Sequence, residues 1–330
     1  EDLDTTFPNA RRYEVLFNAS DHAVAFVKNP ALTNNEWLLQ IAEGFEVRYP
    51  YDEDDVAGWV AAGDYAALEN AYSPLKEFIE FISDTDITTP EGILAFRSAF
   101  EERAEVEYFI KYIVAIFVFG LVDNFGKDFL LSTWSNGGGD HAKWYTALYD
   151  MDSGVGIDNQ GFMTDSSGNL IFDYNIEMED DGVFAQASSK LWDAVIAAYP
   201  SEIADTYAEL RANQFSFENI WKIMYTNQIA TISKGMYNAN AISKYIEIAG
   251  STSWLWMLNG DRIEQMKRWI TNRLDYLDSK YDYNTDNKII SARFDITDAS
   301  TIEFQLAASM HQCITAQLGN STSGYMKERA

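Results

Sequence analysis

Residues 113–122, Ile-Val-Ala-Ile-Phe-Val-Phe-Gly-Leu-Val, carry neither a charge nor a polar side chain, and Asp123 follows them directly. A bilayer crossing takes roughly 20 apolar residues, so this run is too short to span one. It reads instead as a helix buried on all sides, which forces the rest of the chain to enclose it. The means are present: of 330 residues 47% are hydrophobic and 15% aromatic, which rules out intrinsic disorder. The length suits one large domain or two ordinary ones.

Lys and Arg total 24 against 51 Asp and Glu, a formal net charge of −27. A surface so acidic repels phosphate, so neither nucleic acid nor an anionic membrane is expected as a partner. A cation-dependent site or a basic partner stays open. Cys313 is the single cysteine, which excludes an intrachain disulfide and a cysteine-built zinc cluster. With only His22, His141 and His311, a histidine-rich metal site is also not expected. The chain starts at Glu1 without the basic and apolar regions of a signal peptide. It reads as a soluble piece of a longer polypeptide or a processed product.

Short apolar and aromatic runs at 13–17, 23–27 and 45–49, punctuated by Asn, Ser, Asp and Pro, predict strands. After an acidic patch at 52–55, Leu68, Tyr72, Leu75, Phe78, Ile79 and Ile82 fall on one helical stripe. Thr89-Pro90-Glu91 predicts a capped helix start. One long helix, or two joined ones, then runs through Phe96, Phe100, Phe109 and Ile113. Residues 135–140 read as a loop and 143–149 as a strand ending at Asp150-Met-Asp152. Residues 162–164 and 170–172 flank a turn and predict a β-hairpin. From 190 to about 281 the pattern is mostly helical. Strands return at 289–294 and 302–307. The acidic runs at 52–55 and 177–181 read as solvated surface.

The constellation with chemical content is acidic and sits where elements end. Asp123 closes the apolar run, in Gly120-Leu-Val-Asp-Asn-Phe-Gly-Lys-Asp128, and Asp150 and Asp152 close the next strand. Carboxylates at element ends are anchored by the core yet reach solvent, and Mg²⁺ prefers such oxygen ligands together with phosphate oxygens. Phosphoryl transfer needs that kind of site, with a carboxylate near the attacking hydroxyl. Each residue also has a plainer reading: Asp-Asn-Phe-Gly is good turn chemistry, and Asp150 and Asp152 could end a strand and bond the turn at 153–156. The loops from Asp150 and Asp165 both miss the EF-hand template. Gly137-Gly-Gly139 lacks the Gly-Lys-Ser/Thr of a P-loop. His141 reads as solvated, and Trp254-Leu-Trp-Met257 as core or subunit-contact surface.

The order of these residues resembles a protein-kinase catalytic segment, where an Asp precedes a metal-binding Asn by five positions and a strand-end Asp follows. Asp123 corresponds to the first by type, Asp128 to the second by spacing, and Asp150 or Asp152 to the third. A long apolar helix ending in Asp-Asn, a Gly/Asn loop, then Lys-Trp-Tyr leading into Tyr-Asp-Met-Asp, is similar to the CotH kinase-like family. It is closest to divergent relatives in structural proteins of tailed phages, with Phe45-Glu-Val-Arg-Tyr-Pro50 fitting that branch. The resemblance covers roughly residues 13–280 but rests on about two short segments. It implies Asp123 as catalytic base, Asp128 at a metal position, and Asp150 and Asp152 as metal carboxylates, Asp152 preferred. Val24-Ala-Phe-Val-Lys28 resembles the kinase strand lysine, which makes Lys28 the candidate nucleotide-phosphate ligand; the plain alternative is an exposed strand-end lysine. The departures are Asp128 where kinases carry Asn, a longer Gly-rich loop, and no G-x-G-x-x-G upstream.

The expected fold is therefore α+β and kinase-like. It comprises a strand-rich part at 1–60, a mostly helical CotH-like lobe at 61–283 with a central hairpin region, and the start of a β-rich module at 284–330. Two functions follow from the resemblance. The favoured one is a virion structural protein of a tailed phage, a tail or vertex component that acts as an assembly scaffold, contacts other virion proteins and copies of itself, and needs no cofactor. The alternative is an active phosphotransferase requiring Mg and ATP.

Overall fold

The computed structural model describes residues 10–16, 23–134, 142–151, 153–158, 163, 167–177, 189–233 and 260–283, and the strands at 301–305, 313–318 and 324–328. The chain divides into two units. The first is Glu1–Thr206 with Ala239–Arg273, and the second is Tyr207–Asn238 with Leu274–Ala330.

The buried helix that the sequence demands is present in the first unit. It runs over Val106–Phe119 (α5), preceded in chain order by β1 (Arg11–Val15), α1 (Asn34–Gly44), β2 (Phe45–Tyr49), α2 (Glu53–Ala62), α3 (Tyr65–Ser83) and α4 (Pro90–Arg103). Every residue from Ile113 to Val118 is at most 5% exposed. Its enclosure is largely aromatic. Phe100 of α4 meets Phe109 edge-on, and Trp192 stacks on Tyr112 with ring centres 4.8 Å apart and planes 8° from parallel. Such contacts add to the burial of large rings.

Local chemistry sets the helix starts. Thr33 and Glu36 form a reciprocal capping box at α1, and Asp52 and Asp55 form another at α2. The acidic patch at 52–55 is thus an N-cap and first turn, where negative charge complements the helix dipole. The stripe of α3 turns inward as its spacing predicts, Leu68 through Ile82 being buried. Thr89 caps α4 with Pro90 in its first turn, and of the two expected forms, one long helix or two joined ones, the chain has the second, α4 and α5. They part at Ala104, which bridges Trp144.

Strands β3 (Phe129–Trp134) and β4 (Lys143–Leu148) complete a sheet in the order β2-β1-β3-β4, every pairing antiparallel. The strands near the N-terminus thus share one sheet with those that follow Asp123. One local expectation is corrected, and two elements are present that the sequence pattern does not name. Residues 23–26 form a turn rather than a strand, because Phe26, at φ 55°, points its ring into the core against Phe45 and Phe78. Residues 34–44 are helix, since the capping box and the buried face of Trp37, Leu38 and Ile41 override the strand-like composition around them. β3 is a strand that sequence patterning does not single out, alternating buried Phe129, Leu131 and Thr133 with half-buried neighbours.

Of the hairpin expected from 162–164 and 170–172, the described residues show the backbone bond from Ile171 N–H to the Met163 carbonyl at 2.9 Å, and residues 162 and 164 lie outside them. Helices α6 (Lys190–Ala198), α7 (Pro200–Ala212), α8 (Phe217–Ser233) and α9 (Gly260–Lys280) make up the described helical part of 190–281. Within the second unit, Arg211 makes a two-pronged bond to Asp278, which also accepts from Tyr207. The strands β5 (Thr301–Gln305), β6 (Cys313–Leu318) and β7 (Gly324–Glu328) form an antiparallel sheet. Residues 137–139, 141, 254–257 and 289–294 lie outside the described residues. No helix among the described residues is long and apolar enough to cross a membrane.

Candidate active site

The end of α5 begins the site. Gly120, at φ 59°, closes the helix in the left-handed conformation, and its N–H donates to the Ile116 carbonyl. A side chain there would strike the Trp269 indole, 2.5 Å from where a Cβ would stand. Asp123–Phe125 then forms a single 3-10 turn, with the Gly126 and Lys127 N–H groups both donating to the Asp123 carbonyl, at 3.1 and 2.9 Å. That turn brings Lys127 back over Asp123. The Asp128 N–H bonds to the Val15 carbonyl at 2.9 Å and starts β3 against β1. Because Phe129 pairs with Leu148, the returning strand delivers Tyr149 and Asp150 beside Asp128.

Asn124 ties these pieces together. It is fully buried, and its Nδ2 donates to the carbonyls of Asp128 at 2.7 Å and Tyr149 at 2.6 Å. Its own carbonyl accepts from the buried Tyr112 hydroxyl, whose ionisation burial opposes strongly. Among the described residues the Asn124 Oδ1 has no hydrogen-bond partner. An orphaned acceptor of this kind costs about 1–3 kcal/mol.

Asp123 is 3% exposed; its Oδ2 accepts from the buried Ser153 hydroxyl at 3.1 Å and lies 3.3 Å from the Lys127 ammonium. The same ammonium bonds Asp128. The loop carrying Ser153 is fastened to the end of α5 by the Val155 N–H, which donates to the Phe119 carbonyl at 2.6 Å, and by Gly154, where a Cβ would stand 2.7 Å from Leu121 Cδ2. Asp128 and Asp150 both hold left-handed backbone angles, φ 56° and 44°. Asp tolerates this region better than most residues, but it still stores strain of about 1–3 kcal/mol, which surrounding contacts must hold in place.

Burial raises the Asp128 carboxyl above its ordinary range; Lys127 opposes the shift, and the charges of Asp123 and Asp150 add to it. For Lys127, burial acts to lower its pKa, but the bond to Asp128 and the charges of both aspartates outweigh it and the net shift is upward. The two partners therefore differ in what the pairing achieves. Among the described residues Lys127 is held charged by two carboxylates, whereas Asp128 faces two like charges and one opposite.

Asp123, Asp128 and Asp150 are thus brought into one electrostatic neighbourhood, and Asp152 lies outside the described residues. Lys28 has partners of its own: its ammonium pairs with Glu80 of α3 at 2.9 Å and its N–H donates to the Ser83 hydroxyl. Asn124, Lys127 and Ser153 are site residues that motif spacing does not single out. The available signal for Lys127 is a lone cation inside an acidic motif. Among the described residues no three His, Cys, Asp or Glu side chains come together closely enough to hold a metal ion. The donors on hand, carboxylates and the orphaned Asn124 amide oxygen, are nonetheless the hard oxygens that Mg²⁺ takes. A separate cavity of about 350 Å³, lined by Pro74, Phe78, Glu102, Arg103, Thr133 and Trp144, lies towards the opposite end of the β3–β4 hairpin and includes none of these aspartates.

The family model described as CotH kinase protein matches residues 34–277. That span contains the whole of the acidic turn, the β3–β4 hairpin and the Asp150 strand end. No curated protein and no solved structure matches the chain. With the matched span covering well over half of its length, the chain belongs to the CotH kinase protein family.

Proposed function

We propose that the chain is a Mg²⁺- and ATP-dependent phosphotransferase, with Asp123 as catalytic base and Asp128, Asp150 and Asp152 as metal carboxylates. The observation that supports this reading is the grouping of Asp123, Asp128 and Asp150 at the end of α5 and of the β3–β4 hairpin, where Asp128 and Asp150 hold left-handed backbone angles and the charges of Asp123 and Asp150 bear on Asp128. Strain and crowded charge are common at catalytic centres. A kinase-like arrangement suits the reading, with α5 as the helix before the catalytic loop and β3–β4 as the hairpin after it.

Bound Mg²⁺ and ATP would supply the phosphoryl group and neutralise charge on its oxygens. The chain's own part is positional. Asp123 would take the proton of an attacking hydroxyl as that oxygen bonds to phosphorus and the bond to the leaving diphosphate breaks. Ser153 and Lys127 fix the Asp123 carboxylate, and Asn124 holds the backbone of Asp128 and Tyr149 in register. Lys28, paired with Glu80, is the candidate ligand to the nucleotide phosphates.

The second reading is a structural component of a tailed-phage virion, assembled with other virion proteins and copies of itself. It is favoured by the β5–β7 sheet, a further β element of the sort that large structural chains carry. Thermal unfolding separates the two. Saturating Mg²⁺ with ATP is expected to raise the Tm of the chain by several degrees, as ligand at about 100 times Kd stabilises by about 2.7 kcal/mol. The Asp123→Asn/Asp152→Asn double variant, which keeps side-chain shape, is expected to lose that rise. No rise in the unaltered chain overturns the phosphotransferase reading; an undiminished rise in the variant overturns the residue assignment.

A further inference from the structure

We infer that the cavity towards the far end of the β3–β4 hairpin binds a lysine, free or within a peptide, with Glu77 and Glu102 as counter-charges for its ammonium. The cavity includes none of the aspartates and is independent of the phosphotransferase reading. Its walls come from Glu77 and Phe78 of α3, Glu102 and Arg103 at the end of α4, and Thr133 and Trp144, which pair across the hairpin. Its volume of about 350 Å³ lies in the range of small-molecule pockets, roughly 300–1,000 Å³. The floor is already built. Phe78 and Trp144 stack with ring centres 4.7 Å apart and planes 22° from parallel, and Phe100 stacks on Phe78 in turn.

Thr133 is 2% exposed and Trp144 6%, yet among the described residues neither the Thr133 hydroxyl nor the Trp144 indole N–H has a hydrogen-bond partner. Buried polar groups are normally paired, so two of them side by side on a cavity wall point to a ligand that supplies the partners. The indole only donates and calls for an oxygen, whereas the hydroxyl takes either role. The rim carries unspent negative charge. Glu77 is exposed and makes no ion pair among the described residues, and Glu102 has a loose one, with Arg103 at 3.8 Å. Arg103 is committed to its own surroundings: its Nη1 donates to the Ala99 carbonyl at 2.9 Å, and its guanidinium lies over the Phe81 ring at 4.7 Å. The cavity thus asks for a cation at the mouth, an apolar stem along the rings and an oxygen for the indole. Lysine has all three, in its ammonium, its methylenes and its carbonyl. A net charge of −27 adds attraction for such a cation at longer range.

Calorimetric titration of Nα-acetyl-lysine methylamide, and separately of free lysine, into the whole chain tests the inference. Saturable one-to-one binding is expected for at least one of them. Glu77→Gln and Glu102→Gln are each expected to weaken it about tenfold, and Thr133→Val several-fold. Glu53→Gln, which removes an exposed carboxylate from α2, is expected to leave it unchanged. The Nε-acetylated form of the blocked lysine, which lacks the charge, is expected not to bind. Tighter binding of the blocked form assigns the site to a lysine within a peptide, and tighter binding of free lysine to the amino acid itself. Absence of saturable binding by both ligands overturns the inference. So does an affinity that survives both Glu77→Gln and Glu102→Gln. An equal loss in Glu53→Gln also overturns it, since that would mark general attraction to an acidic surface.

Discussion

Asp128 is matched by spacing alone to the Asn of a kinase catalytic segment, and its surroundings show what a charge at this position does. Burial, with Asp123 and Asp150 adding, holds its carboxyl pKa above the ordinary value. The folded chain thus binds a proton there more tightly than the unfolded chain does. By linkage the site costs nothing below the unfolded value near 3.9, and its penalty grows as pH rises from there through the raised folded value. Asp128→Asn removes the penalty. The variant is therefore expected to gain stability relative to the unaltered chain as pH rises from about 4 towards 7, and to show no gain below about 3.5. Denaturant melts of both chains across that range check the sign; a gain that shrinks as pH rises contradicts it. At this scale the sequence marks the aspartates through their places at element ends. It does not mark Asn124 or Ser153, because what each does depends on a partner 25 or 30 positions away.

At the scale of elements, periodicity and capping carry far. The α3 stripe, the Thr89-Pro90 start of α4 and the strands at 45–49 and 143–148 follow from local pattern, because each is amphipathic or capped in its own right. Local pattern fails at residues 23–26, where a core position for Phe26 decides, and at β3, which is fixed by pairing on both sides. The loop after Asp150 shows the same dependence. Gly156 has φ 78° and would place a Cβ 2.5 Å from the Trp269 ring, whose Nε1 donates to the Phe172 carbonyl at 2.9 Å. Gly156→Ala forces either the loop or that indole to shift. A loss of about 1–3 kcal/mol is expected, read as a lower denaturation midpoint at unchanged slope. An unchanged midpoint would mean that the loop is not held by Trp269. Gly168, at φ 85° with no atom of the described residues within 4 Å of its Cβ position, is the control for backbone strain.

For the molecule as a whole, the charge of −27 is the governing quantity. Part of it is used locally: Asp52 to Asp55 cap and line the first turn of α2, and Glu36 closes the α1 box, where bonds from Thr33 hold its pKa below the ordinary value. The remainder repels itself. Raising NaCl from about 10 to 150 mM shortens the screening length from about 30 to 8 Å, so Tm is expected to rise by a few degrees. A fall in Tm with salt would show that attractive ion pairs outweigh self-repulsion.

The sequence by itself determined a buried helix in the apolar run, an aromatic core around it, the capped start of α4, and the family to which the chain belongs. Each of these is written in neighbouring residues, or in composition, and needs no distant partner to be read. Only the tertiary structure decided that Asp123, Asp128 and Asp150 share one neighbourhood, that Lys127 bridges two of them, and that Asn124 fastens the strand ends. Those facts depend on where antiparallel pairing of β3 with β1 and β4 returns the chain. Register between strands far apart in sequence is set by packing rather than by local propensity.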